Sequence, residues 1–237
     1  MGKIWIVCSG SGGVGKTTIA LAVAAGAAKA GKKTILFDAS GMARSCDLIL
    51  GMESLLVLDM KDVLRNQISI ESAIYPVAQY DNLSLACASL YEQTPASELS
   101  GMILAMLSLC DILVVDMPTG QYALGKGVLQ ADDERLVVTR PDNSSIRAAE
   151  RLLIHARDTD AASCGLIINR ISRERIKRKT QYAQSTVENL LDLPALACIM
   201  EDPSIPECEC SARAAIECNG PAWTALSALC KTLLGSA

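Results

Sequence analysis

Aromatic side chains are scarce in this chain: one Phe, two Trp and five Tyr make up 3% of 237 residues. With half of all residues hydrophobic, the core must be built from aliphatic side chains, and there is enough of them for a sizeable one. His155 is the only histidine, which removes histidine-rich metal sites and excludes histidine-dependent catalytic triads unless that one residue serves. Its setting, Arg151-Leu152-Leu153-Ile154-His155-Ala156, reads as a helix surface. No apolar run reaches the roughly 18 residues of a membrane span. The N-terminus also lacks the charged-then-apolar pattern of a secretory signal, so a cytoplasmic location is expected. Positive charge is not in excess either. Against 26 Asp and Glu stand 22 Lys and Arg, a net charge of −4. The molecule as a whole therefore does not attract nucleic acid or anionic lipid, although a local patch can. No repeat, low-complexity stretch or long linker interrupts the sequence, so residues 1–237 read as a single domain.

Strand-like and helix-like runs alternate along the chain. Ile4–Val7, Lys33–Phe37, Asn82–Ala86, Asp111–Asp116, Arg135–Thr139, Gly165–Asn169 and Ala195–Ile199 have the continuous apolar character of strands covered on both faces. Helical patterns follow Thr17 and recur at about 96–109, 143–157, 175–191 and 221–234, with a partly irregular helical region from the second strand to about residue 76. This alternation predicts an α/β fold of three layers, a mostly parallel sheet with helices on both faces. The ten cysteines read mainly as small core hydrophobes in a reducing compartment. Cys208, Cys210 and Cys218 form the one cluster. Their spacing departs from the C-x2-C pairs of zinc sites, and a metal there stays open as the lesser alternative.

Gly10-Ser11-Gly12-Gly13-Val14-Gly15-Lys16-Thr17 matches the phosphate-binding pattern G-x-x-x-x-G-K-[ST], between a strand and a helix as that loop requires. Four glycines let successive backbone N–H groups turn inward around phosphate oxygens, and the helix beginning near Lys16 adds its positive end. Lys16 would place an ammonium on the β- and γ-phosphates, while the Thr17 hydroxyl would join the shell of a Mg²⁺ ion. Two acids end buried strands, where ligands collect in such folds. Asp116, about a hundred residues after the loop, reads as the Walker B carboxylate that holds Mg²⁺ through water; the alternative is a turn former ahead of Pro118. Asp38 is placed to approach the same ion or merely to end its strand.

These residues resemble the MinD/ParA group of P-loop ATPases, with the MinD branch the nearer. Ser9–Thr18 is similar to that group's SGKGGVGKTT, and Phe37–Gly51 to its DxDIGLRNLDLIMG. Asp116–Gly120 resembles DSPAG, Thr139–Arg147 resembles TNPEVSSVR, and Ile199–Asp202 resembles IPED. The likeness runs from residue 1 to about 235. It implies a P-loop NTPase fold that binds ATP or ADP with Mg²⁺ through Gly10, Ser11, Gly12, Gly13, Val14, Gly15, Lys16, Thr17 and Thr18. It further implies catalytic roles for Lys16, Asp38 and Asp116, and metal contacts from Thr17, Asp38 and Asp116. Asn169 and Arg170 match the position that recognises adenine, with Met200, Glu201 and Asp202 as the opposite wall.

Three departures qualify this. Ser11 stands where the group carries a signature lysine that reaches across an ATP-bridged dimer. Ser40 replaces a second aspartate associated with the attacking water. The segment Lys231–Ala237 holds one lysine where MinD proteins carry a basic amphipathic helix, so direct membrane binding is not expected. The resemblance therefore implies a nucleotide-dependent switch that positions or regulates division, partition or related machinery, dimerises around ATP and hydrolyses it weakly. The alternative is a non-hydrolysing nucleotide-binding module that docks to a partner protein; a metabolic P-loop enzyme is a weaker third, since no second substrate pocket can be read. Arg170, Arg173, Arg175, Lys177, Arg178 and Lys179 face one acid, Glu174. That run is either a solvated helix face or a patch for nonspecific DNA, an acidic partner or lipid headgroups. Tyr182 is the only aromatic beside it, which argues against single-strand stacking.

Overall fold

The computed structural model describes residues 2–41, 44–90, 95–120, 128–157 and 163–235. Met42 and Ala43, within the segment likened to DxDIGLRNLDLIMG, lie outside the described residues. Eight strands form one sheet: β1 (Lys3–Cys8), β2 (Thr34–Asp38), β3 (Ile74–Pro76), β4 (Leu83–Cys87), β5 (Ile112–Asp116), β6 (Glu134–Thr139), β7 (Ser163–Ile171) and β8 (Ala195–Met200). Their order is β3-β4-β2-β5-β1-β6-β7-β8. Every pairing is parallel except β3 with β4.

Successive side chains along a strand point to opposite faces, and the two faces are covered by different helices. Trp5, Val7, Leu36 and Val114 enter one core with α1 (Lys16–Lys29) and α9 (Trp223–Leu233). Ile4, Ile6, Phe37, Leu113 and Val115 enter the other, with α4 (Ala96–Leu107), α5 (Asn143–Arg157) and α7 (Gln184–Leu191). The predicted three-layer arrangement is therefore the observed one. Ten of the fourteen residues of α1 are buried. Its alanines let it lie close to sheet and helix at once. At Gly26 an added Cβ would stand 2.5 Å from Cys230 Sγ of α9.

The structure departs from the sequence reading in several elements. The helix expected over 175–191 is two, α6 (Arg173–Lys177) and α7, separated where Lys179 takes a positive φ of 58°. Edge strand β3 and helix α8 (Ser204–Cys210) were not anticipated. The irregular region after β2 resolves into α2 (Cys46–Ile49), α3 (Met60–Leu64) and a 3-10 turn, Ile70–Ala73. Of the cysteines in apolar runs, Cys8 and Cys87 are buried thiols, as expected of core cysteines, whereas Cys110, Cys164 and Cys198 are half-buried; Cys46 and Cys230 are buried as well. Cys208 and Cys218 instead come together as a disulfide pair, while Cys210 is exposed. The described residues thus do not assemble these three as a metal site. His155 lies exposed on α5, and no helix among the described residues is long and apolar enough to cross a membrane.

Candidate functional site

The phosphate-loop residues lie beyond the carboxyl end of β1, the strand flanked by β5 and β6, and lead directly into α1. Gly13 and Gly15 take φ values of 69° and 92°, a region that strains any residue with a Cβ. At Gly12 and Gly13 an added Cβ would meet nothing within 4 Å among the described residues, whereas at Gly10 it would stand 2.2 Å from the Ala148 carbonyl oxygen of α5. The loop thus presses against α5 at one end and is uncrowded by the described residues in its middle. Ser9, Ser11 and the loop through Thr18 line a cleft of about 530 Å³ with Ser40, Ser45, Pro118, Thr119 and Arg170.

Lys16 Nζ donates to Asp116 Oδ1 at 2.7 Å, and Thr17 Oγ1 donates to Asp116 Oδ2 at 2.6 Å. The pair is enclosed, with Lys16 8% and Asp116 0% exposed. Burial pushes the Asp116 carboxyl up to about 6, against the opposing pull of the Lys16 ammonium and with a further push from Asp38. Register explains how Asp38 arrives there, because β2 and β5 align Asp38 with Asp116. Carboxylate oxygens of the two and Cys46 Sγ all lie within 4.8 Å of one another. The Asp38 carboxylate, however, already accepts four hydrogen bonds. Ser40 N (3.1 Å) and Ser40 Oγ reach Oδ1; Ser45 N and Cys46 N, each at 3.0 Å, reach Oδ2. Four donors match the lone-pair capacity of a carboxylate, so Asp38 is occupied in holding its own loop. Beside it, Cys46 is fully buried, and its thiol is pushed well above the ordinary range by burial and by the Asp38 and Asp116 charges.

A second cleft of about 600 Å³ adjoins the first. Asn169, Arg170, Met200, Glu201 and Asp202 all line it, as the sequence placed them, together with Pro203, Ile205, Pro206 and Glu209. Asn169 Nδ2 donates to the Val14 carbonyl at 2.8 Å, and its Oδ1 accepts from Arg170 N at 2.9 Å, so this amide also ties the strand end to the phosphate loop. Asp202 accepts from Ser204 N, Ser204 Oγ and Ala222 N. Burial raises its carboxyl, but these hydrogen bonds outweigh that effect and leave it lowered.

Three contacts escaped the sequence reading. Glu209 Oε1 accepts from Thr18 Oγ1 at 2.7 Å, Ser11 Oγ approaches Ser145 Oγ at 3.5 Å, and Cys46 joins the two strand-end acids. Nothing local marks Glu209 or Cys46. The Ser144-Ser145 pair after Asp142 is an N-terminal helix signature, with Asp142 Oδ1 accepting from Ser145 N, but its partner across the fold is not written in it.

The geometry is that of a phosphate cradle, with a buried lysine and hydroxyl on one carboxylate and an adjoining cleft, and comparison with known proteins agrees. The description "CobQ/CobB/MinD/ParA nucleotide binding domain" matches residues 5–215. The chain belongs to this family. Within the MinD/ParA family, the septum site-determining protein MinD of Escherichia coli is 31% identical over 217 residues, covering 86% of this chain and 80% of the relative. MinD of Synechocystis sp. is 29% identical over 208 residues, covering 86% and 78%. Among solved structures, the MinC:MinD cell division protein complex of Aquifex aeolicus aligns with a TM-score of 0.84 at 28% identity, over 99% of this chain and 96% of that one. Pyrococcus furiosus MinD aligns at 0.83 with 24% identity over 100% of both chains, a likeness of fold. Nucleotide binding is the property this MinD/ParA family description names.

Proposed function

We propose that this chain is an ATP-binding switch of the MinD/ParA type that positions or regulates cell-division, partition or related machinery and hydrolyses ATP weakly. The observation that carries the reading is the cradle itself: Lys16 and Thr17 converge on Asp116 beside a glycine loop that the described residues leave uncrowded at Gly12 and Gly13. In this reading Gly10 through Thr18 hold the triphosphate by main-chain N–H groups. Lys16, now on Asp116, would serve the β- and γ-phosphates, and Thr17 and Asp116 are the residues that would hold Mg²⁺. When bound, that ion would supply neutralisation of phosphate charge. Asp38 would hold Ser40, Ser45 and Cys46 beside that site. Asn169, Met200, Glu201 and Asp202 enclose the adenine, and ADP occupies the same site.

Weak hydrolysis follows from two side chains. Ser11 is uncharged and turned toward Ser145, and the Ser40 hydroxyl is engaged with Asp38. Neither can deliver the charge of the lysine and aspartate that the family carries, and a cation supplied to a phosphoryl transition state is worth roughly 10³ to 10⁵ in rate. The same two residues favour a second reading, a non-hydrolysing nucleotide-binding module that acts by docking. A protein partner fits both, since the MinD of the Aquifex aeolicus structure is in complex with MinC. Phosphate release and sedimentation with ATP, ADP and no nucleotide separate them. Slow, Lys16-dependent turnover with an ATP-dependent dimer supports the switch; nucleotide binding with neither supports the docking module; no nucleotide binding overturns both.

A further inference from the structure

Arg170 stands where the two clefts meet. Gly15, Thr18 and Arg170 are the residues that line both the phosphate-loop cleft and the adjoining one. Gly15 and Thr18 belong to the turn into α1, where backbone N–H groups point at a bound phosphate. A side chain that shares their position is at the level of the inner phosphates and not of the base alone.

The backbone around Arg170 is built to hold it there. The β7–β8 register breaks between Ile168 and Ile171, and within that irregularity Arg170 takes a φ of 56°. A non-glycine residue in this region is strained, and such strain persists only where surrounding contacts enforce it. Here they come from three sides. Asn169 Oδ1 accepts from Arg170 N at 2.9 Å, Gln181 Nε2 donates to the Arg170 carbonyl at 3.0 Å, and Gln181 Oε1 accepts from Ser172 N at 2.8 Å. The bulge is tied to the phosphate loop by the 2.8 Å bond from Asn169 Nδ2 to the Val14 carbonyl. Contact is close enough that a Cβ on Gly15 would stand 2.3 Å from that nitrogen.

Charge points the same way. Four guanidinium groups line the outer groove beside the bulge: Arg140, Arg170, Arg175 and Arg178. Three are engaged by acids, Arg140 with Asp142 (3.0 Å), Arg175 with Glu201 (3.2 Å) and Arg178 with Glu174. Among the described residues Arg170 alone of the four has no acid partner. Among the described residues of the phosphate cleft Lys16 is the other cation, and Ser11 supplies none.

We infer that Arg170 is a phosphate-binding residue, a guanidinium in cis that grips the α- and β-phosphates from the base side of the cleft. The inference rests on the nucleotide-binding reading and deepens it, moving Arg170 from the base to the diphosphate. Calorimetric titration of the full chain with ADP, inorganic pyrophosphate and adenosine tests it. Arg170→Ala should weaken ADP and pyrophosphate about 10- to 100-fold, the range of a lost charge-assisted contact. It should flatten the salt dependence of ADP binding and leave adenosine unchanged. Arg170→Lys should recover part of the pyrophosphate loss. Arg170→Gly accepts the positive φ, so it should melt no lower than the parent yet bind ADP as poorly as the alanine variant, which separates lost contact from lost fold. Equal weakening of adenosine and ADP with pyrophosphate unaffected would return Arg170 to the base pocket and overturn the inference, as would no change with any ligand. If the parent protein binds none of the three ligands, the nucleotide reading itself fails and this inference with it.

Discussion

Lys16 and Asp116 lean on one another in an enclosed setting, 8% and 0% exposed. Burial drives the Asp116 carboxyl up to about 6, above the ordinary value near 4 that it regains on unfolding. The folded protein therefore holds a proton more readily than the unfolded chain between those values. This contribution to stability is complete below about pH 4 and is lost as pH rises through about 6. Urea unfolding of the ligand-free protein from pH 4 to 7 should show that loss, and Asp116→Asn should remove it; parallel curves for the two proteins would contradict the assignment. Lys16→Ala leaves the carboxylate buried without its cation. That variant should unfold at lower urea, by roughly 3 kcal/mol as for a broken buried pair, and give no detectable heat with Mg·ADP. Full nucleotide affinity in Lys16→Ala would show that the phosphates lie elsewhere.

The glycine loop shows how one motif serves two masters at the level of the element. Gly10 is required by packing, since any Cβ would collide with the α5 backbone at Ala148, whereas at Gly12 it would meet none of the described residues within 4 Å. Gly10→Ala should thus cost about 1–3 kcal/mol of stability in ligand-free urea unfolding. Gly12→Ala should cost under about 0.5 kcal/mol, as a substitution away from such contacts, while weakening ADP by crowding the phosphates. The opposite ranking would mean that the loop is seated differently. Sequence alone could identify this loop, its strand, its helix and the acid ending β5, because each is announced within a few neighbouring residues. It also placed Asn169, Arg170 and Met200–Asp202 on one cleft, through resemblance. It could not show that Asp38 spends its lone pairs on Ser40, Ser45 and Cys46, since that depends on where the fold brings these residues. It missed β3 because three residues ending in Pro76 carry no alternation. The break between α6 and α7 was hidden by a continuous helical pattern, though Lys179 takes a left-handed backbone and Ala183 an extended one.

Across the whole molecule, charge decides which macromolecular partners are plausible. The basic run on and after α6 is partly neutralised, Arg175 by Glu201 and Arg178 by Glu174, on a chain of net charge −4. We therefore expect no tight binding to duplex DNA at about 0.15 M salt, with any binding at 50 mM falling steeply as salt is added. Salt-insensitive DNA binding would reassign that face. Saturating Mg·ADP should raise the melting temperature. At a ligand concentration of about 100 times Kd the gain is about 2.7 kcal/mol, or roughly 5–11 °C for a domain of this size.

The position of β1 has a consequence for how the protein is made. Its residues leave the ribosome about a hundred residues ahead of the strands that flank it, which begin at Ile112 and Glu134. At roughly 5–20 residues per second, the apolar segment Ile4–Val7 waits on the order of 5–20 s for its first neighbour. During that interval β1 has no neighbour in the sheet, and a chain ending before Ile112 should be insoluble or degraded on expression.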